Sequence, residues 1–107
     1  SRLHKGVDIV GDGKSCKGEL ATAAANGVVV VAEYHRSYGY YVVIDHGDGL
    51  ETLYAHFSKL LVKPGATVKA GDAVGKIGAT GNATGYHLHF EVHVDGREVN
   101  PLLFVDY

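Results

Sequence analysis

The chain has 107 residues, 46% of them hydrophobic and 21% charged, which suits one domain spanning residues 1–107 with a real core and leaves little room for a second. A formal net charge of −2 excludes the strongly basic surface that nucleic acid or an anionic membrane would require. Cys16 is the only cysteine, so an internal disulfide and a cysteine-based zinc finger are excluded as well.

Fifteen glycines against two prolines predict short elements joined by tight turns. No apolar run approaches the roughly 20 residues of a membrane helix, and no secretory leader is visible. Methionine is absent even at position 1, so the chain reads as a processed product or a part of a longer protein.

In chain order, the segment Gly11 to Gly18 has the composition of a surface loop. Leu20 to Ala25 is Ala-rich but too short for a convincing helix, and it runs into Asn26-Gly27 and the β-branched Val28 to Ala32, a turn followed by a strand. Tyr40 to Asp45 reads as a strand that stops at the turn His46-Gly47-Asp48-Gly49, and Leu50 to Phe57 resumes as the next. Between Val62 and Ile77, valines and isoleucines alternate with glycine-bearing turns, the rhythm of short strands bending around a small barrel or sandwich. His87 to Asp95 is the last clear strand, and Asp95-Gly96 predicts a hairpin. The expected fold is all-β: a small two-sheet sandwich or half-barrel with an open groove.

Seven histidines in one small chain make their placement informative. Strand alternation puts Leu88, Phe90, Val92 and Val94 on one face and His87, His89, Glu91 and His93 on the other. His87 and His89 then lie roughly 6 to 7 Å apart. One can hold a metal while the other meets a substrate bound to it. The plain alternative is a solvated strand face. His4-Lys5-Gly6-Val7-Asp8 supplies an imidazole and a carboxylate, both good zinc ligands, with a glycine that lets the backbone turn. Leu53-Tyr54-Ala55-His56 adds a histidine, with Tyr54 and His56 expected on one strand face. A catalytic zinc needs three protein ligands and an open position. His4, Asp8 and His89 would meet that need for one ion, leaving His56 and His87 beside it to move a proton or stabilise an oxyanion. Spacing does not divide these roles between the two.

The three motifs H-x-G-x-D, Y-A-H and H-L-H-F-E resemble those of the lysostaphin (LytM)-type zinc peptidases. Gly39 to His46, the glycine-spaced stretch Val62 to Ile77, Thr80-Gly81 through Thr84-Gly85, and Val99-Asn100-Pro101 are similar to the same family. The resemblance covers nearly the whole chain. It implies an all-β core with an open groove, zinc held by His4, Asp8 and His89, a catalytic pair of His87 and His56, and a substrate in the peptide part of peptidoglycan, either cross-bridge or stem. It also implies work in the periplasm or the cell wall, and it leaves room for further domains in the parent protein. Neither nucleic acid nor membrane insertion by this domain is expected.

The chain departs from the family pattern at Asp12 to Lys17, an apparent insertion, at Gly18-Glu19-Leu20-Ala21, and at Tyr86 where proline is usual. None removes a ligand. They bear on substrate preference, which Tyr86, Thr84 and Tyr54 are expected to influence from the groove. Two other readings stand beside the peptidase. Some relatives of this family have lost ligands and instead activate cell-wall amidases, but here all five positions are intact. The Val-x-x-Gly rhythm also resembles a lipoyl or biotinyl carrier module, but no lysine occupies the hairpin context such a module needs.

Overall fold

The computed structural model describes residues 7–9, 19–78 and 88–99. Every regular element among them is a strand: β1 (Val7–Ile9), β2 (Leu20–Thr22), β3 (Gly27–His35), β4 (Gly39–Gly47), β5 (Leu50–Leu60), β6 (Thr67–Val68), β7 (Ala73–Ile77), β8 (Leu88–Val94) and β9 (Arg97–Val99). All pairings are antiparallel and belong to one continuous sheet. It runs β1-β8-β5-β4-β3-β6, with β9 on β8 and β7 bridging β5 to β2. Of the expected alternatives, sandwich or half-barrel, this curled single sheet is the half-barrel. Among the described residues no helix is long and apolar enough to cross a membrane.

The hairpin signals are local and the backbone follows them. Asp48 and Gly49 have φ of 54° and 80°, and Asp95 and Gly96 have 52° and 83°. Two successive positive φ values make a type I′ turn, whose twist matches that of the strands it joins, and Asp-Gly is a favoured pair there. The core gathers Val29, Val42, Ile44, Tyr54, Phe57, Val74, Phe90 and Val92, all nearly inaccessible.

β5 organises the sheet. Along one edge it pairs with β4. Along the other it pairs with β8 through Leu50 to Ala55, then with β7 through Phe57 to Leu60. His56 sits where the partner changes. Its φ is 68°, a left-handed value that a non-glycine residue adopts only under constraint. The constraint is visible: the His56 N–H donates to the Tyr38 carbonyl at 2.7 Å, and the Gly78 N–H donates to the His56 carbonyl at 3.0 Å.

Candidate active site

β8 alternates as its sequence predicts. Leu88, Phe90 and Val92 enter the core, while His89, Glu91 and His93 form a polar face linked by hydrogen bonds. Glu91 is 1% exposed, while His89 and His93 beside it remain partly exposed. A buried carboxylate is costly unless donors surround it. Here the His89 Nε2–H and the Tyr38 hydroxyl donate to Glu91 Oε2 at 2.8 and 3.0 Å, and the His93 Nε2–H donates to Glu91 Oε1 at 2.8 Å. A carboxylate only accepts, so in a neutral His89 ring the proton lies on Nε2 and the metal-binding lone pair on Nδ1. Burial alone would raise the Glu91 pKa, but the bonds from His89, His93 and Tyr38 outweigh it and hold the carboxyl below its ordinary range. Burial, with the Glu91 charge beside it, pushes the Tyr38 phenol well above the tyrosine range, which keeps it a donor.

β1 lies against β8 with Asp8 directly opposite His89. An acidic and an imidazole residue are therefore direct register partners on adjacent strands. On the other side of β8, Ala55 is the register partner of His89. Strict alternation would then send His56 to the side of Tyr54 and the core. The left-handed backbone at His56 and the register shift between Tyr40 and Val42 break that alternation. The His56 ring accordingly lies 5.9 Å from that of His89, centroid to centroid. Re-aiming a side chain is a recurrent use of such irregularities.

The same break corrects an expectation. Tyr54 was expected to share a face with His56 and to border the groove. It is instead a core residue, 1% exposed. Its ring meets Phe90 edge-on at 5.3 Å. Its hydroxyl belongs to a hydrogen-bond chain whose order follows for a neutral His46 ring. The Ala24 N–H donates to the Tyr54 oxygen at 2.9 Å, Tyr54 donates to Thr52 at 2.7 Å, Thr52 to His46 Nε2 at 2.7 Å, and His46 Nδ1 to the Asn26 carbonyl at 2.7 Å. His46 therefore holds β4 to the loop before β3. A small, mostly apolar cavity lined by Ala24, Ala25, Leu50, Phe90 and Val92, with His46 and Thr52, opens on this side.

His4, Thr84, Tyr86 and His87 lie outside the described residues, and Asp8 enters only through its strand position. Two residues that sequence reasoning passed over complete the described part of the site. Tyr38, at the β3–β4 turn, carries no local signal of its role. Glu98 does: a two-residue hairpin at Asp95-Gly96 pairs Val94 with Arg97 and so His93 with Glu98, as observed. Donor atoms of Glu91, His93 and Glu98 all lie within 4.8 Å of one another.

Comparison with known proteins follows the same lines. The model for Peptidase family M23 matches residues 2–101. A peptidoglycan DD-endopeptidase, ShyA, of Vibrio cholerae is 48% identical over 79 residues, covering 74% of this chain and 18% of its own length. The murein hydrolase activator NlpD of Salmonella dublin is 39% identical over 103 residues, covering 95% of this chain and 26% of its own. The chain thus spans about a quarter or less of these curated relatives. Among solved structures, the catalytic domain of the antimicrobial peptidase lysostaphin from Staphylococcus simulans superposes with a TM-score of 0.84 at 33% identity, over 94% of this chain and 77% of that one. A zinc-containing peptidase from Vibrio cholerae superposes with a TM-score of 0.78 at 40% identity, over 90% of this chain and 28% of that one.

Proposed function

Because this chain belongs to peptidase family M23, we propose that it is the catalytic domain, residues 1–107, of a zinc-dependent endopeptidase that hydrolyses peptide bonds in the cross-links or stem peptides of bacterial peptidoglycan. The observation that carries the reading is the placement of Asp8 opposite His89, with the His56 ring 5.9 Å from that of His89. An oxygen and a nitrogen ligand from adjacent strands, and a further imidazole beside them, suit a metal site that keeps a position open for substrate. The donor chemistry fits zinc. His89 also shows the support that metal-binding histidines usually have, a ring N–H given to a carboxylate.

In this reading His4, Asp8 and His89 hold one zinc ion. When bound, zinc supplies Lewis acidity that makes water nucleophilic near neutral pH and polarises the scissile carbonyl. The remaining work belongs to side chains. His56 and His87 flank the reacting carbonyl, where one imidazole relays the proton from water to the leaving amine and the other stabilises the developing oxyanion. His56 is 7% exposed, so its proton transfer takes place shielded from bulk solvent. Thr84 and Tyr86 border the peptide groove. The substrate sets the place of action, the periplasm or the cell wall. The parent protein brings further domains.

The similarity to a murein hydrolase activator supports a second reading, in which the domain binds and regulates another wall enzyme. The intact set His4, Asp8, His56, His87 and His89 favours catalysis. Release of new amino groups from purified peptidoglycan, measured with and without phenanthroline, separates the two. Chelator-sensitive release establishes the peptidase. A zinc-loaded domain that releases nothing from several wall types establishes the regulator.

A further inference from the structure

Tyr38 makes contacts in two directions. Its hydroxyl and the His89 Nε2–H converge on one oxygen of the buried Glu91, at 3.0 and 2.8 Å. Its ring lies over that of His89, with centroids 6.1 Å apart and planes 25° from parallel. His89 is thereby held in its plane by Glu91 and across its face by Tyr38. In the other direction, the Tyr38 carbonyl accepts the His56 N–H at 2.7 Å, at the residue whose left-handed backbone sends the ring toward His89. A single turn residue thus fixes the orientation of one site histidine and the backbone of the other.

We infer that Tyr38 and Glu91 are positioning residues that brace His89 and His56 as a unit, fixing the His89 tautomer with Nδ1 as its metal-binding nitrogen. The inference rests on the zinc peptidase reading for its functional meaning, though the brace itself consists of contacts within the chain. A partly buried tyrosine hydroxyl needs only some acceptor. What distinguishes this one is that its acceptor is also the anchor of His89. Partners at this remove from a metal set ligand orientation and basicity, and their loss typically lowers metal affinity or activity about 10- to 100-fold. Both Glu91 oxygens are occupied by donors. That favours a brace over a second ion held by Glu91, His93 and Glu98.

The test uses Tyr38→Phe, which keeps the ring and the carbonyl and removes only the hydroxyl, and Glu91→Gln. In the zinc-free wild type, the imidazole nitrogen shifts of His89 should report a proton on Nε2. In Glu91→Gln the two tautomers should mix. Zinc affinity, measured by competition with a chromophoric chelator, should fall about 10- to 100-fold in Glu91→Gln and by a smaller factor in Tyr38→Phe. Should Glu91→Gln fail to fold, Tyr38→Phe carries the test through zinc affinity, because Glu91 still accepts the His89 Nε2–H in that variant. Unchanged tautomer and zinc affinity in folded Glu91→Gln, or unchanged zinc affinity in folded Tyr38→Phe, would overturn the brace. So would two zinc ions per wild-type chain of which Glu91→Gln loses only one, because Glu91 would then be a ligand. A wild type that binds no zinc and cleaves no peptidoglycan would defeat the peptidase reading, while the tautomer measurement would still decide the brace.

Discussion

His56 and His89 face each other at 5.9 Å although strand alternation assigns them to opposite sides of the sheet. The left-handed backbone at His56 produces that meeting, and two backbone hydrogen bonds maintain it. A non-glycine residue in this conformation costs about 1–2 kcal/mol, which glycine avoids. His56→Gly should therefore be more stable than His56→Ala by about 1 kcal/mol, after allowing for glycine's greater unfolded-state entropy. Both should retain zinc and both should lose peptide release. Urea denaturation of the two variants checks the first point, and equal stabilities would mean that the left-handed conformation does not persist in solution.

Asp8 and His89 are register partners on adjacent strands, so neither can be replaced without changing the donor set at the proposed metal site. His89→Ala and Asp8→Ala should each reduce bound zinc from one ion per chain to a small fraction at micromolar metal, as measured by elemental analysis after dialysis. His87→Ala should keep its zinc and lose turnover. Loss of zinc from the His87 variant would make that residue a ligand and leave the metal site closed.

What could be read from the sequence was local. Val28 to Ala32, Tyr40 to Asp45 and Leu50 to Phe57 all lie within observed strands, because β-branched and aromatic runs bounded by glycine turns need no distant information. The turns at Asp48-Gly49 and Asp95-Gly96 are encoded by the residues that occupy them. Apolar alternation in β8 separated His89 and Glu91 from Phe90 and Val92. The side taken by His56 was not legible, because it depends on β5 changing partner from β8 to β7. Tyr54 was misplaced for the same reason. Tyr38 gave no sign, since its partners Glu91 and His56 are distant in sequence and are brought to it only by the curl of the sheet.

Gly78 marks where the fold and the site depend on each other. A Cβ built there would lie 2.5 Å from the Ser58 backbone nitrogen and 2.8 Å from its Cα, atoms that cannot move without displacing β5. The Gly78 N–H also holds the His56 carbonyl. Gly78→Ala should cost about 1–3 kcal/mol through overpacking. Because the displaced strand carries His56, turnover should fall more than zinc affinity does. A folded Gly78→Ala protein with wild-type turnover would show that His56 does not need this close approach.

Tyr54 makes the core sensitive to alkali. Burial raises its pKa above the ordinary 10.0, with its bonds to Thr52 and Ala24 opposing the shift only in part. The folded state therefore keeps this proton longer than the unfolded chain. Its contribution is fully present below about pH 10. As pH rises further the unfolded chain binds fewer protons than the folded one, so stability declines, by up to about 1.4 kcal/mol per pH unit for one group. Tyr54→Phe should be less stable near neutrality by about 1 kcal/mol, because it breaks the hydrogen-bond chain from Ala24 to Asn26. It should also lose stability less steeply above about pH 10, with Tyr38 and Tyr41 titrating alike in both proteins. Denaturation curves across that range read the difference directly. Parallel slopes would mean that Tyr54 releases its proton at the same pH folded and unfolded.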